Sequence, residues 1–304
     1  MRLGIDLGGT KIEIVALDTG GTVRHRCRVP TPQGDYPATL QTMRDLVADA
    51  EAQLGLATPI PLGVGIPGSV SPVTGVIQNA NSTCLIGRDL AGDLSAMLAR
   101  PVRLANDADC FTLSEATDGA GAGEPLVFGV ILGTGVGGGI AFHRQLLAGP
   151  NAIAGEWGHN PLPWPQADEL PGPTCYCGQE GCIETFLSGP ALSRAYQEAG
   201  GQGYLAEEIA RRAATGDENA QRVLTRHAEQ LARALAMVIN ILDPHVVVLG
   251  GGLSNLAGLY AEVPRLWSRH VFAKQPRTRL VRAKHGDSSG VRGAAWLWPG
   301  GPAG

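Results

Sequence analysis

Three cysteines lie close together in the sequence PTCYCGQEGCIETF, at positions 175, 177 and 182. An odd number cannot all pair as disulfides, so a metal site, a redox pair and buried apolar side chains are the alternatives. The motif GEWGH supplies His159, sixteen residues before Cys175. Together, His159, Cys175, Cys177 and Cys182 offer four donors suited to tetrahedral zinc, and a closed set of four predicts structural zinc. A Cys-x-Cys redox pair stays open as an alternative but leaves Cys182 unexplained.

Two glycine-rich segments, GIDLGGTKIEIVAL (residues 4–17) and GVILGTGVGGGIAF (residues 129–142), each predict a strand, a turn and a second strand. A third segment, VVVLGGG, is an apolar strand that ends in glycines. Successive N–H groups of such a turn can form a nest for phosphate oxygens. The alternative is that both are ordinary hairpins whose glycines only allow a tight turn. The occurrence of two such hairpins together with LGGG favours phosphate binding. The predicted phosphate-binding residues are Asp6, Gly8, Gly9, Thr10, Lys11, Gly133, Thr134, Gly135, Gly137, Gly250, Gly251 and Gly252, with Asp6 a candidate magnesium ligand through water.

The dinucleotide fingerprint G-x-G-x-x-G matches twice, starting at Gly63 and at Gly133. The fingerprint needs a following helix whose N-terminus faces the pyrophosphate. The first match is followed by SVSPVTG and the second by the strand-like GIAF. A Rossmann dinucleotide site is therefore not expected.

Strands and helices alternate in both halves of the chain. Helical patterns cover Ala38 to Leu54 and Glu218 to Leu242, and the last segment SSGVRGAAWLW predicts a short helix. We expect a duplicated α/β architecture with an interdomain cleft. The predicted N-terminal α/β domain is 1–120, joined by the C-terminal helix 288–304. The predicted C-terminal α/β domain is 121–287 and contains the cysteine cluster.

Composition and charge limit the partners and the compartment expected for this protein. The chain has 304 residues, a formal net charge of −4 and a pI near 6.0, so no basic surface for nucleic acid or an anionic membrane is expected. No leader pattern precedes the first strand, and no apolar run reaches the ~18 residues that span a bilayer. A cytoplasmic protein with reduced thiols is expected. Cys27, Cys84 and Cys110 are scattered and predict small buried apolar side chains.

Five motifs occur in the order DLGGTK, LGTGVGGG, GEWGH, CYCGQEGCIE and VVLGGG. In this order the chain resembles the ROK family of sugar kinases and repressors, within the sugar kinase, actin and Hsp70 superfamily with its duplicated ribonuclease-H-like fold. The segments GIPGSVSPVTGVIQNANST and GEWGHNPLPW are most similar to the manno(fructo)kinase branch, the ROK fructokinases. Cys84 departs from the aromatic residue usual in that branch, which affects the choice of sugar more than the choice of reaction.

The resemblance implies transfer of the γ-phosphate of ATP to the 6-hydroxyl of a hexose. Fructose is the first expected substrate, with mannose or glucose as further ones. Within the family, a glucokinase or an N-acetylglucosamine kinase is the alternative. A catalytically inactive sugar sensor is the alternative from another class, and an intact Asp107 with intact phosphate turns argues against it. The implied cofactors are Mg-ATP, Mg²⁺ and structural Zn²⁺. The expected assembly is a homodimer, with no nucleic-acid or membrane partner.

The resemblance also implies roles for single residues. The segment VRLAND predicts a strand that ends at Asn106 and Asp107. Asp107 corresponds to the catalytic base, and Asn106 beside it would hold a sugar hydroxyl, although the pair Asn-Asp alone is more typical of a simple turn. A carboxylate suffices as base because the proton leaves late in a loose transition state. The further sugar ligands implied are Asn79, Asn81, Glu156, His159 and Glu184. His159 would then serve both the metal and the sugar.

Overall fold

The computed structural model describes residues 1–80 and 82–298, so the predicted sugar ligand Asn81 lies outside the described residues. Its strands are β1 (Arg2–Leu7), β2 (Lys11–Leu17), β3 (Val23–Pro30), β4 (Leu62–Ile66), β5 (Ser69–Val70), β6 (Ile77–Gln78), β7 (Val102–Asn106), β8 (Leu126–Leu132), β9 (Val136–Phe142), β10 (Gln145–Leu146), β11 (Val246–Gly250) and β12 (Arg279–Arg282). Its helices are α1 (Tyr36–Leu54), α2 (Leu90–Leu98), α3 (Asp107–Thr117), α4 (Glu184–Leu187), α5 (Gly189–Glu198), α6 (Ala206–Ala214), α7 (Glu218–Leu242), α8 (Leu259–Trp267) and α9 (Ser289–Trp296).

The described chain divides into two compact units. Unit 1 comprises 1–123, 139–154 and the segment from residue 287 onward, and unit 2 comprises 124–138 and 155–286. The sequence places its boundary at 120 and assigns 139–154 to the second domain. In the structure that segment belongs to unit 1, where β10 contacts α3.

The sheet of unit 1 has the order β3-β2-β1-β4-β7. β1, β2 and β3 form an antiparallel meander, and β4 and β7 extend the sheet in parallel with β1. The alternation in β2 predicts one buried face, but the structure buries both: Ile12 and Ile14 lie in the core under α1, while Val15 packs on α9. Glu13 is consequently buried, and its carboxylate accepts hydrogen bonds from Arg26 and Arg28 of β3.

Helix α9 lies directly on the sheet of unit 1, and glycines make this close approach possible. A Cβ atom at Gly4 would collide with the backbone of Ala295, and one at Gly63 would collide with the carbonyl of Ala294. The two strand glycines therefore serve helix packing. Gly63, the first glycine of a fingerprint match, thus has a structural role inside β4.

The second sheet repeats the strand order of the first. It runs β10-β9-β8-β11-β12, with β10 and residues 139–142 of β9 assigned to unit 1 and the other strands to unit 2. β11 is parallel to both β8 and β12. A hairpin followed by parallel strands thus occurs in both sheets, as the duplicated α/β pattern of the sequence predicts. Helix α7 has the predicted bounds, with Asp217 as its N-cap. Among the described helices, none is long and apolar enough to cross a membrane.

Candidate active site and metal cluster

The predicted metal ligands come together in unit 2. The donor atoms of His159, Cys175, Cys177 and Cys182 all lie within 4.8 Å of one another. His159 Nδ1 is 3.6 Å from Cys175 Sγ, and the sulfurs of Cys177 and Cys182 are also 3.6 Å apart. Four atoms on a tetrahedron with metal–sulfur bonds of about 2.3 Å are separated by roughly 3.8 Å, so the donor set fits a tetrahedral metal. None of the cysteines in the described chain forms a disulfide.

A short turn holds two of the cysteines in place. The amide of Cys175 donates to the carbonyl of Gln179 at 2.8 Å, and the amide of Gly178 donates to the carbonyl of Cys175 at 3.0 Å. Gly178 has a φ of 90°, which favours glycine over residues with a side chain. Cys182 joins the cluster through an isolated bridge to Pro161. The sequence GQEG after Cys177 therefore shapes the metal loop.

His159 has a second contact besides the cluster. Its Nε2 atom lies 3.0 Å from the hydroxyl of Tyr176, which is mostly exposed. The sequence predicts that this nitrogen reaches a sugar hydroxyl. In the structure Tyr176 occupies that position, so a sugar role for His159 requires the tyrosine hydroxyl to share the nitrogen or to move.

Glu184, a predicted sugar ligand, begins helix α4 two residues after Cys182. Its Oε2 atom accepts a hydrogen bond of 2.9 Å from the amide of Val136. A Cβ atom at Gly135 would lie 2.6 Å from the same oxygen. The carboxylate thus rests on the glycine turn 133–137, which the sequence predicts as a phosphate site. Spacing gives no sign of this contact, because the two residues are 48 positions apart.

The two glycine segments of unit 2 are neighbours. Strands β8 and β11 are parallel, with Gly250 paired to Ile131. Gly250 ends β11, and Gly251 and Gly252 therefore follow it beside the turn after β8. Gly251 has a φ of 78°, and a Cβ atom there would collide with the carbonyl of Leu132. Backbone amides at the carboxyl ends of adjacent parallel strands are a common setting for ligands in α/β sheets.

The first glycine turn, in unit 1, is closed by backbone bonds. The amide of Gly8 donates to the carbonyl of Lys11 at 3.0 Å, and Thr31 Oγ1 donates to the carbonyl of Gly8 at 2.7 Å. Gly9 and Thr10 are exposed at its tip. These bonds close the turn between β1 and β2, and Lys11 begins the second strand, so the phosphate role of this turn stays a prediction.

Two acidic residues of unit 1, Asp6 and Asp107, have raised pKa values. Burial raises the pKa of Asp6 to about 6, and the nearby negative charges of Asp107 and Glu13 add to the effect. Burial also raises the pKa of Asp107, against hydrogen bonds that lower it. Asp107 as a residue is nevertheless exposed to solvent.

Asp107 differs from the sequence expectation in its local structure. The sequence places it at the end of a strand, whereas β7 ends at Asn106 and Asp107 is the first residue of α3. Asn106 is the N-cap: its Oδ1 accepts from the amide of Ala108 at 2.8 Å, and its Nδ2 donates to the carbonyl of Gly68 at 3.1 Å. Helix capping explains the Asn-Asp pair locally and fixes the position of Asp107.

The remaining predicted sugar ligands are exposed. Asn79 has a left-handed φ of 56° on unit 1, and Glu156 precedes a short turn of helix that contains His159 on unit 2. The tryptophan of the same motif, Trp157, is buried, and its Nε1 donates to the carbonyl of Gly137 at 3.0 Å. GEWGH therefore supports the second glycine turn, a role that the sequence alone does not indicate.

The sequence model of the ROK family matches residues 2–300 of this chain. N-acetyl-D-glucosamine kinase of Escherichia coli O9:H4 is 42% identical over 301 residues, which cover 98% of this chain and 99% of that protein. The N-acetyl-D-glucosamine kinase of Yersinia enterocolitica is 40% identical with the same coverage.

Solved structures agree in fold. The ROK hexokinase of Thermus thermophilus is 32% identical, with a TM-score of 0.86 and 97% of both chains covered. A ROK glucokinase of Streptomyces griseus, solved with glucose and AMPPNP, is 26% identical with a TM-score of 0.74, covering 97% of this chain and 98% of that one. The predicted α/β two-domain fold is confirmed. This chain therefore belongs to the ROK family and is one of its sugar kinases.

Proposed function

We propose that this protein transfers the γ-phosphate of ATP to the 6-hydroxyl of N-acetyl-D-glucosamine. The observation that carries the proposal is the 42% identity, over nearly the whole of both chains, to a protein named N-acetyl-D-glucosamine kinase. The sequence motifs favour fructose first, with mannose or glucose, and place this amino sugar among the alternatives. Cys84 stands where the fructokinase branch usually has an aromatic residue, and this difference reduces the weight of the fructose motifs.

Asp107 is the proposed base for the sugar hydroxyl. Its raised pKa makes the carboxylate a stronger base than an ordinary aspartate. The N-cap bonds of Asn106 fix the backbone from which Asp107 projects, so the base needs little reorganisation before proton transfer. On unit 2, Glu156, His159 and Glu184 stay predicted sugar ligands, as Asn79 and Asn106 do on unit 1.

The glycine segments are the proposed phosphate sites. Backbone N–H groups of the turns at 8–11 and 133–137, together with those of 250–252, would donate hydrogen bonds to the phosphate oxygens of ATP. Asp6 would hold Mg²⁺ through water, and when bound this ion neutralises charge on the transferring phosphate. The chain's own contribution is to orient the phosphates with fixed N–H groups and to receive the proton at Asp107.

The Cys/His cluster is the proposed site of a structural zinc ion. All four donors are thiols or imidazole, the ligands that zinc favours in closed tetrahedral sites. Glu184 follows Cys182 by two residues, so the cluster also sets the start of α4. The zinc ion would therefore stabilise the fold rather than take part in the reaction, because four protein ligands leave no open coordination position.

A sugar panel tests the proposed function. Release of ADP is measured with purified protein, Mg-ATP and N-acetylglucosamine, glucose, mannose or fructose, against a reaction without sugar. We expect the highest kcat/KM with N-acetylglucosamine, because a site that pairs with a substrate's amide discriminates strongly against analogues that lack it. A higher kcat/KM with fructose would favour the branch motifs instead. Turnover with none of the four sugars would overturn the kinase proposal and favour a sugar sensor.

A further inference from the structure

We propose that Glu184 positions the glycine turn 133–137 for nucleotide phosphate, so that this residue governs nucleotide affinity as well as sugar affinity. The inference rests on the proposed function, since it assumes that the turn receives phosphate. It assigns a second role to a residue that the sequence links only to sugar.

The contact between Glu184 and the turn is direct. Oε2 accepts from the amide of Val136 at 2.9 Å, and the absence of a side chain at Gly135 lets the carboxylate approach. A bond from an amide to a charged acceptor is stronger than a bond between neutral groups. Its loss would leave a partly buried amide at the end of the turn without a partner.

Backbone and ring contacts hold the rest of the turn. The amide of Gly189 donates to the carbonyl of Gly133 at 2.7 Å, and Trp157 Nε1 donates to the carbonyl of Gly137. These two contacts restrain carbonyl groups, whereas Glu184 holds the N–H group of Val136. That N–H group is engaged by the carboxylate, so the contact would act on phosphate binding by fixing the backbone that carries the neighbouring N–H groups.

The second carboxylate oxygen of Glu184, Oε1, is the proposed contact with the sugar. Within the described residues, Oε1 of Glu184 has no protein hydrogen bond that competes with a sugar hydroxyl. A hydroxyl bound to Oε1 would fix the carboxylate while Oε2 stays on Val136. The turn would then lose less conformational freedom when phosphate binds, so sugar and nucleotide should bind with positive coupling. Thermodynamic reciprocity requires the same factor in both directions.

Calorimetry of ADP binding to sugar-free protein tests the proposal. Glu184→Ala should weaken ADP binding roughly tenfold, the effect of losing one charge-assisted bond. The ADP affinity of Glu184→Gln should stay within about threefold of that of the unchanged protein, because the amide oxygen of the glutamine can still accept a hydrogen bond from Val136. Both variants should weaken sugar binding. Glu180→Ala is the matched control: it removes an exposed carboxylate from the same metal loop without touching the turn.

Hydrogen exchange of the peptide that contains Val136 supplies a readout independent of ligands. Exchange should be faster in Glu184→Ala and near normal in Glu184→Gln. ADP affinity that is equal in Glu184→Ala and the unchanged protein would overturn the inference, as would an equal loss in the Ala and Gln variants. An unchanged protein that binds no ADP at all would instead contradict the proposed function.

Discussion

At the residue scale, the two carboxyl groups Asp6 and Asp107 set the chemistry of unit 1. Burial raises the pKa of both, and the negative charge of Asp107 raises the pKa of Asp6 further. Their different backbones separate their roles. Asp6 lies in the central strand β1 with the glycine turn next to it, while Asp107 starts α3 behind an N-cap. The position of Asp107 at a helix start suits a carboxylate, because the helix dipole favours negative charge there.

Replacing Asp107 by Asn should lower kcat by about 10²- to 10⁴-fold, the usual contribution of a general base. The amide keeps the shape of the side chain but cannot take the hydroxyl proton. Steady-state kinetics with the preferred sugar measures the loss, and circular dichroism checks the fold. Asp109→Asn is the control, since it also removes an acidic side chain from the first turn of α3. Retention of full kcat in Asp107→Asn would contradict the proposed base.

At the element scale, helix α7 anchors the loop that precedes the metal cysteines. Glu169 is buried and forms a two-bond ion pair with Arg233 at 2.7 and 2.8 Å. Gln230 of α7 donates to the same carboxylate at 2.9 Å. Burial alone would raise the pKa of Glu169, but the hydrogen bonds from Arg233, from the Gln166 amide and from Gln230 lower it to about 2.

Glu169→Gln should destabilise the protein, because it leaves the Arg233 guanidinium buried without its counter-charge. Breaking a buried pair costs about 3 kcal/mol, which corresponds to a fall in Tm of roughly 5 °C or more. Differential scanning calorimetry at pH 7 measures the change. Asp168→Asn is the matched control: its ion pair with Arg226 is exposed, so Tm should change by less than about 2 °C. Equal effects of the two substitutions would contradict the anchoring role.

The same network predicts a dependence on pH. The folded pKa of Glu169 is lower than the unfolded one, so its stabilisation is present above about pH 4.5 and is lost as pH falls toward 2. The Gln variant cannot titrate at this position. The difference in Tm between Glu169→Gln and the unchanged protein should therefore shrink as pH falls through this window, and a constant difference would show that the carboxylate charge contributes nothing.

At the scale of the whole molecule, the four metal donors all belong to unit 2, while Asp6, Asp107 and the first glycine turn belong to unit 1. The proposed base and the proposed metal site thus belong to different units. A disturbance at the metal cluster should act first on unit 2, through the loops around Cys175 and the start of α4.

Removing the metal should destabilise unit 2 and raise the KM for sugar, because metal binding to closed Cys/His sites contributes directly to folding. Elemental analysis should find about one zinc per chain, and Cys182→Ser should lose it. Hydrogen exchange should then increase in peptides of 157–187 before it increases in unit 1. Cys27→Ser, a cysteine of β3 outside the cluster, is the control and should keep its metal. Full activity and unchanged exchange in zinc-free protein would contradict a bracing role.

Sequence patterns alone predict the α/β class, the glycine turns, the bounds of α7 and the four members of the Cys/His cluster. These features depend on short-range patterns: apolar periodicity, turn residues and the spacing of donors. Four features become visible only in the folded chain: Glu184 contacts Val136, Glu169 pairs with Arg233, Trp157 contacts the second glycine turn, and Asp107 starts a helix. Three of these join residues 20 to 64 positions apart. Such contacts arise when strands and helices pack, and no local pattern encodes them. Asp107 is local in sequence, but a strand end and a helix start share the same Asn-Asp signal, and the packing of α3 decides between them.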